Sequence, residues 1–315
     1  MKNLARRILF SLATFFALAV VSFLGIDALP GDGCTALLGR FGSDANIEAC
    51  RQDNNLNDSV VVRLKDWSTD LVRGDLGYSI KRDQEVAKII APRLRNTAVM
   101  GTVAALIAFP SAIIVGLLLG RYPQKRASKV VNQLSVIAMT LPEFVIATVL
   151  WLVLSIWLPI FPGVSVMPSN ASFSQLLPNV WLPALTLSAV IFAHSMRAMR
   201  ASVGNVQTMP FVESARLRGT REKVVINRHI VPAALPPVVN VVAIDGAWLL
   251  TGTFVTEAVF NFQGLGRLAI DAISDRDTAL ILPIILFGLA VYLVSSLLAD
   301  TLVRVFDPRL RSSRN

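Results

Sequence analysis

The sequence contains few of the side chains from which metal sites are usually built. Its 315 residues include two cysteines, Cys34 and Cys50, and two histidines, His194 and His229, which lie far from both cysteines. That spacing excludes a Cys/His zinc cluster. Charged residues make up only 16% of the chain, whereas hydrophobic residues make up 54%. Water-soluble domains of this length rarely have such a balance, so the composition indicates a membrane protein.

Several functional motifs are also missing. The chain has no Gly-rich phosphate-binding loop followed by Lys and Ser or Thr, so we expect no nucleotide site on it. It has neither HExxH nor GxSxG, which argues against a membrane-embedded enzyme. The net charge of +9 does not indicate nucleic-acid binding, because the basic residues fall in short clusters between apolar runs. Such clusters are typical of loops that face the cytoplasm.

Six apolar runs are long enough to cross a bilayer, whose hydrocarbon core needs about 20 residues of helix. They lie near residues 8–29, 97–120, 131–157, 180–196, 233–254 and 280–303. We therefore predict an all-α polytopic membrane protein with about six transmembrane helices. A basic stretch precedes the first run, but the length of that run and the five later runs favour a retained anchor over a cleaved signal peptide.

The charge distribution predicts that both termini lie in the cytoplasm. With that orientation, the inside segments hold 18 of the 30 basic residues and only three acidic residues, as the positive-inside rule requires. The predicted organisation is an N-terminal transmembrane helix at 1–29, an extracytoplasmic extension at 30–96, a five-helix core at 97–303 with a cytoplasmic coupling loop at 197–229, and a cytoplasmic tail at 304–315.

The extension at 30–96 is predicted to fold as a small unit. Apolar side chains recur at helical spacing, which predicts a helix that packs on the membrane domain; they are Val60, Leu64, Trp67 and Leu71. Both cysteines lie in this extension, on the side of the membrane where disulfides persist. A bridge between Cys34 and Cys50 is one interpretation, and two buried free thiols are the other.

The loop at 197–229 carries the most informative pattern. Residues 211–219 read Phe-Val-Glu-Ser-Ala-Arg-Leu-Arg-Gly, and residues 227–232 read Asn-Arg-His-Ile-Val-Pro. This pattern predicts a short charged helix, a glycine that ends it, and a second helix that leads into Pro232. An ordinary solvated loop is disfavoured because the segment is long for a connector.

The same stretch resembles the cytoplasmic signature of the permease subunits of ABC importers. That signature is Glu-Ala-Ala, three residues, Gly, nine residues, Ile, any residue, Leu-Pro. The matching positions hold Glu213, Ala215, Gly219 and Pro232. The departures are Ser214 for the second signature residue, His229 for Ile and Val231 for Leu.

Other stretches resemble the oligopeptide, dipeptide and nickel branch of that family. They are the Gly-Asp-Leu-Gly-Tyr-Ser turn at 74–79, the segments at 257–260, 264–267 and 276–277, and the ending formed by Asp300 with Asp-Pro-Arg at 307–309. Each motif is weak alone, but their order and spacing are together specific. The resemblance covers essentially the whole chain.

The resemblance implies a transmembrane permease subunit of an ATP-driven, binding-protein-dependent importer of peptides or related small solutes in a bacterial inner membrane. The implied partners are a second, similar permease chain, two ATP-binding subunits, an extracytoplasmic solute-binding protein and membrane lipid. The chain would be neither an enzyme nor a cofactor-binding protein, because ATP and Mg would be bound by the ATPases. The implied ATPase-coupling residues are Glu213, Ser214, Ala215, Arg216 and Gly219.

Two alternatives stay open at this point. One is a nickel or metal-chelate importer of the same family, since the branch includes such systems. The other is a stand-alone ion-coupled carrier, which the coupling-loop signature around Glu213 disfavours.

Two acidic residues lie inside predicted spans, Glu143 after Pro142 and Asp245 in the fifth run. A carboxylate there costs roughly 2.5–3.5 kcal/mol, so it should face a partner or a water-filled path. Counting about 1.5 Å per residue from the cytoplasmic ends puts both roughly 18–20 Å deep. They are therefore candidates for lining the translocation path, with hydrogen bonding across helices as the alternative. His194 is predicted to be an interface residue.

Overall fold

The computed structural model describes residues 2–28, 31–39 and 42–306. Within these residues the chain is almost entirely helical, with one two-stranded hairpin, β1 Tyr78–Ser79 and β2 Gln84–Glu85. The α-helices are α1 Lys2–Asp27, α2 Gly33–Leu38, α3 Asp44–Asp53, α4 Val60–Arg73, α5 Val86–Arg121, α6 Arg126–Thr140, α7 Glu143–Trp151, α8 Phe173–Gln207, α9 Pro210–Leu217, α10 Glu222–Val225, α11 Val231–Thr251, α12 Thr253–Val259, α13 Leu265–Ser274 and α14 Thr278–Phe306. Most of the predicted tail, 307–315, lies outside the described residues.

Five stretches of helix are long and apolar enough to cross a membrane, or six if a bent pair is counted as one span. The five are Arg6–Asp27, Val86–Arg121, Phe173–Gln207, Glu222–Gly246 and Thr278–Leu297. The bent pair is Arg126–Thr140 with Glu143–Trp157. The all-α polytopic fold predicted from the apolar runs is thereby confirmed.

The third predicted span, 131–157, is not one helix. The chain bends by 115° between α6 and the following segment. Leu141 is extended, with φ −76° and ψ 137°, and Pro142 precedes the first residue of α7. Proline disfavours helical geometry in the residue before it and donates no backbone N–H, so the helix ends there. The straight helix along which the depth of Glu143 was counted is therefore not present.

The chain divides into two compact units, and the first comprises Met1–Thr97, Met167–Phe173 and Gln263–Leu293. Its apolar core joins residues of α1, α5, α13 and α14, including Ala19, Ile89, Leu268 and Leu280. The predicted helix of the extension is present as α4. Trp67 and Leu71 of α4 pack against this core, and the Trp67 ring lies 5.5 Å from that of Phe23 in α1. This packing agrees with the expectation for the extension helix.

The hairpin of the first unit is bound to the loop before α14. Ser79 donates a hydrogen bond to the buried carboxylate of Asp277, and Lys81 Nζ lies 2.7 Å from Asp275 Oδ1. Burial raises the pKa of Asp277, although the Ser79 hydroxyl and the Arg82 guanidinium oppose that shift. The contact brings together two of the motifs that carry the family resemblance, 74–79 and 276–277.

The two cysteines also belong to the first unit. Their sulfur atoms are bonded, and the Cα atoms of Cys34 and Cys50 are 5.9 Å apart. The segment beside them is held by Asp32, which caps α2 and pairs with Arg51 at 2.7 Å. Partial burial opposes ionisation of Asp32, but hydrogen bonds from the Thr35 N–H and from Arg51 outweigh it, so the pKa lies below its ordinary value.

The second unit comprises Ala98–Val166, Ser174–Phe262 and Val294–Asn315. A buried apolar cluster joins the end of α8 to α9, α10 and α11; it contains Met199, Val203, Val206, Val212, Ala215, Val225, Ile230, Ala234 and Val238. Helix α8 continues to Gln207, well past the predicted end of the fourth span. This continuation buries Met199, Val203 and Val206 in the cluster, and its Arg200 donates to Asn132 of α6. The connection to α11 is therefore shorter than predicted.

Candidate functional site

Helix α9 is the short charged helix predicted between the fourth and fifth spans. Pro210 occupies its first turn, where a missing N–H is tolerated, and the helix ends at Leu217. Val212 and Ala215, three residues apart, point into the buried apolar cluster. One side of α9 is therefore packed against α8 and α11 of its own unit.

The opposite side of α9 is exposed. Glu213 and Ser214 lie on it, and Leu217 has 83% of its surface exposed. Of the five residues implied to couple to an ATPase, Ala215 alone faces the interior of its own unit.

Gly219 makes the turn that follows α9. Its φ is +72°, in the left-handed region, and its N–H donates to the Arg216 carbonyl at 2.9 Å. The Thr220 N–H donates to the Ala215 carbonyl at 3.2 Å, which completes a helix cap of the type that glycine favours. Helix α10 begins three residues after Gly219 and continues through a π-helical turn, Ile226–Ile230, into α11.

Glu222 joins three segments around this turn. Its carboxylate accepts hydrogen bonds from Arg216 Nε at 3.3 Å and from Arg216 Nη2 at 3.1 Å. Arg121 Nη2, at the end of α5, lies 3.7 Å from Glu222 Oε1. The sequence contained no signal for this role, because Glu222 lies outside the signature positions.

Helices α8 and α11 precede and follow this segment. Polar side-chain contacts join the two helices at two further places. Ser202 donates to the Ala234 carbonyl at 2.8 Å. Further along, Ser195 donates to Asp245 Oδ2 at 2.9 Å, and His194 Nδ1 lies 3.4 Å from Asp245 Oδ1. Asp245 is only 6% exposed. His194 thus contacts the facing helix, which agrees with its prediction as an interface residue.

Helices α5 and α8 approach each other closely. A Cβ added to Gly116 would lie 2.7 Å from the Met196 carbonyl oxygen, and one added to Gly120 would lie 2.8 Å from that of Arg200. Ser188 donates to the Ala104 carbonyl at 3.2 Å. Small residues recur every four positions on this face of α5: Ala104, Ala108, Ala112, Gly116 and Gly120. That spacing is a signal for close helix packing in membranes, and it could have been read from the sequence.

Glu143 is not near a basic partner in the described contacts of its unit. Its carboxylate accepts a hydrogen bond from the hydroxyl of Thr256 in α12. Since Glu143 begins α7 and Thr256 lies in α12, this contact links two short helices that follow breaks in the chain. The structure does not join Glu143 and Asp245 by a direct hydrogen bond or by a shared partner among the described contacts.

Within the described part of the chain, no three or more His, Cys, Asp or Glu side chains are grouped so that they could hold a metal ion.

Comparisons with known proteins agree with the motifs. The family model of the binding-protein-dependent transport system inner membrane component matches residues 112–312. The oligopeptide transport system permease protein AppB of Bacillus subtilis is 29% identical over 308 residues, covering 97% of this chain and 98% of AppB. The glutathione transport system permease protein GsiC of Pectobacterium atrosepticum is 30% identical over 311 residues, covering 97% of each chain.

A solved structure of the MetNI methionine ABC transporter in an inward-facing conformation aligns with a TM-score of 0.53 at 18% identity. The alignment covers 70% of this chain and 96% of that one. At 18% identity, this similarity shows a shared fold and nothing more. The family match spans more than half of the sequence, and the chain therefore belongs to the inner membrane components of binding-protein-dependent transport systems, the permease subunits of ABC importers.

Proposed function

We propose that this chain forms one half of the membrane channel of an importer of peptides or related small solutes, and that α9 is the helix on which an ATPase docks. The observation that carries the coupling role is the two-sided character of α9. Val212 and Ala215 anchor it to its own unit, while Glu213, Ser214 and Leu217 are exposed. A short anchored helix of this kind can pass the closure of a partner to the spans it is packed against.

The peptide class is supported by the relatives that match over nearly their full length. AppB is described as an oligopeptide permease and GsiC as a glutathione permease, and glutathione is itself a peptide. These descriptions favour peptides over nickel or a metal chelate.

The proposed assembly contains a second, similar permease, two ATP-binding subunits and an extracytoplasmic solute-binding protein. ATP and Mg belong to the ATP-binding subunits in this proposal. Both chain termini and α9 lie in the cytoplasm, because the segments between spans on that side are rich in Lys and Arg. The carboxylates of Glu143 and Asp245 are proposed to border the path.

The experiment is charge reversal at Glu213 in the complete complex, reconstituted in liposomes with its ATPases and binding protein. Glu213→Lys should lower solute uptake per ATP hydrolysed, because the reversed charge opposes docking. Asp66→Lys is the matched control, since it makes the same charge change at an exposed position of α4, which belongs to the first unit and not to the second unit that contains α9. Uptake that stays normally coupled in Glu213→Lys would refute the docking role of α9.

A further inference from the structure

The ion pairs around Glu222 connect the proposed docking helix to a span that does not adjoin it in sequence. Arg216 lies on α9, Glu222 is the first residue of α10, and Arg121 is the last residue of α5. Glu222 accepts two hydrogen bonds from Arg216 and lies 3.7 Å from Arg121. One carboxylate therefore stands between two guanidinium groups on different helices.

This bridge adds a polar contact to the apolar packing between these helices. The buried cluster joins α9 to the end of α8 and to α11, and the α5 residues at its margin, Ile113 and Leu117, are only partly buried. At the end of α5, Arg121 reaches the α9–α10 turn through Glu222. The turn contains Gly219, whose left-handed conformation sets the direction in which α10 leaves α9.

Helix α5 is in turn packed tightly on α8. Gly116 and Gly120 leave no space for a side chain against the α8 backbone, and Gln207 Nε2 donates to the Gly120 carbonyl at 2.9 Å. When α9 is linked to Arg121, a displacement of α9 would therefore move α5 and α8 together. Without the bridge, α9 could tilt about Val212 and Ala215 while the end of α5 stayed in place.

We propose that Glu222 is a positioning residue for coupling: it holds Arg216 of α9 to Arg121 of α5, so that movement of α9 is passed to α5. The inference rests on the proposed role of α9 as the docking helix. Glu222 touches neither solute nor ATP in this proposal, and it acts through the two arginines.

The expected effect is moderate. The side chains of Glu222, Arg216 and Arg121 are 40%, 39% and 29% exposed, so water and salt weaken their attraction. Loss of exposed ion pairs of this kind changes an equilibrium by about two- to fivefold. We expect Glu222→Gln to lower uptake per ATP hydrolysed by about that factor, with normal assembly.

The test uses the complete complex in liposomes, with uptake and ATP hydrolysis measured together. Arg121→Gln should also lower the uptake per ATP hydrolysed, as Glu222→Gln does. Lys223→Gln is the control, because it removes a charge from an exposed neighbour on the same short helix.

Charge reversal separates a bridge from a simpler role of Glu222 at the N-terminus of α10, where any carboxylate is favourable. Glu222→Arg should be worse than Glu222→Gln, and adding Arg121→Glu should restore part of the uptake per ATP hydrolysed, because the exchange re-forms the pair between α5 and α10 and leaves Arg216 of the proposed docking helix unchanged. Failure of this double variant to improve on Glu222→Arg alone, or normal uptake per ATP hydrolysed in Glu222→Gln, would overturn the inference.

The outcome for Glu213→Lys distinguishes the two proposals. If Glu213→Lys uncouples transport while Glu222→Gln is normal, α9 docks but Glu222 does not position it. If Glu213→Lys is fully coupled, the docking role of α9 fails, and the inference about Glu222 fails with it.

Discussion

The turn at Gly219 provides a sharp test of the coupling segment. Its φ of +72° is a conformation that side-chain-bearing residues adopt only with strain. In the part of the chain that the structure describes, no heavy atom beyond Gly219 and its two chain neighbours lies within 4 Å of the position that a Cβ would take. A substitution there therefore acts through backbone strain and creates no steric clash, so its effect follows the conformational preference of the new residue.

The size of the effect can be estimated for Gly219→Val. A left-handed conformation costs an ordinary L-residue about 1–2 kcal/mol, and a β-branched residue is worse suited to it. A cost of about 1–2 kcal/mol lowers the population of the native turn by a factor of about 5–30. The bonds lost with the turn are those from Gly219 to Arg216 and from Thr220 to Ala215, so the end of α9 would fray.

The assay compares uptake per ATP hydrolysed in liposomes for the native complex and three variants. Uptake per ATP hydrolysed should be highest with the native Gly219 and should fall in the order Gly219→Asn, Gly219→Ala and Gly219→Val. Asn comes before Ala because it tolerates left-handed geometry better. Assembly should be unaffected, since Gly219 lies outside the buried cluster of the second unit. Full coupling in Gly219→Val, at normal assembly, would refute the reasoning.

Two further predictions concern packing and the extension. Gly116→Ala should destabilise the purified protein, since its Cβ would lie 2.7 Å from the Met196 carbonyl oxygen. Gly204→Ala should be tolerated, because among the described residues no atom beyond its chain neighbours and its own helix backbone lies within 4 Å of the added Cβ. Thermal aggregation in detergent compares the two variants. Cys34 and Cys50 should be bonded in protein prepared under oxidising conditions, and losing the bond should cost about 3 kcal/mol. Mass spectrometry after alkylation without reduction decides this, with two alkylated thiols as the contradicting result.

Periodicity and motifs predicted the helices well, because an apolar span and an amphipathic helix each have a local pattern. Helix α4 and the helix–turn–helix around Gly219 lie where the sequence indicated. Pro142 accounts for the end of the helix before it, but no local pattern encodes the size of the bend, 115°. The role of Glu222 was missed for the same reason, since Arg121 is about a hundred residues away in the sequence.

The prediction about Glu143 and Asp245 depends most on long-range structure. Each carboxylate has a hydroxyl donor on another helix: Thr256 for Glu143 and Ser195 for Asp245. Such bonds are also what purely structural carboxylates would make, so geometry within one chain does not separate the two roles. Charge does, because a carboxylate beside the path attracts cations and repels anions.

A unit charge about 8 Å away, at an effective dielectric constant of about 20, changes the energy of a charged solute by about 2 kcal/mol. That energy sets an upper limit of about thirtyfold on the change in uptake rate. We expect Glu143→Gln and Asp245→Asn to lower uptake of cationic peptides most, neutral peptides little, and to leave or raise uptake of anionic peptides. The peptides should be matched in length, and the same binding protein should be supplied throughout. An equal loss for all three classes with poor assembly would assign both residues to helix packing, and unchanged uptake of every class would show that neither carboxylate governs the path.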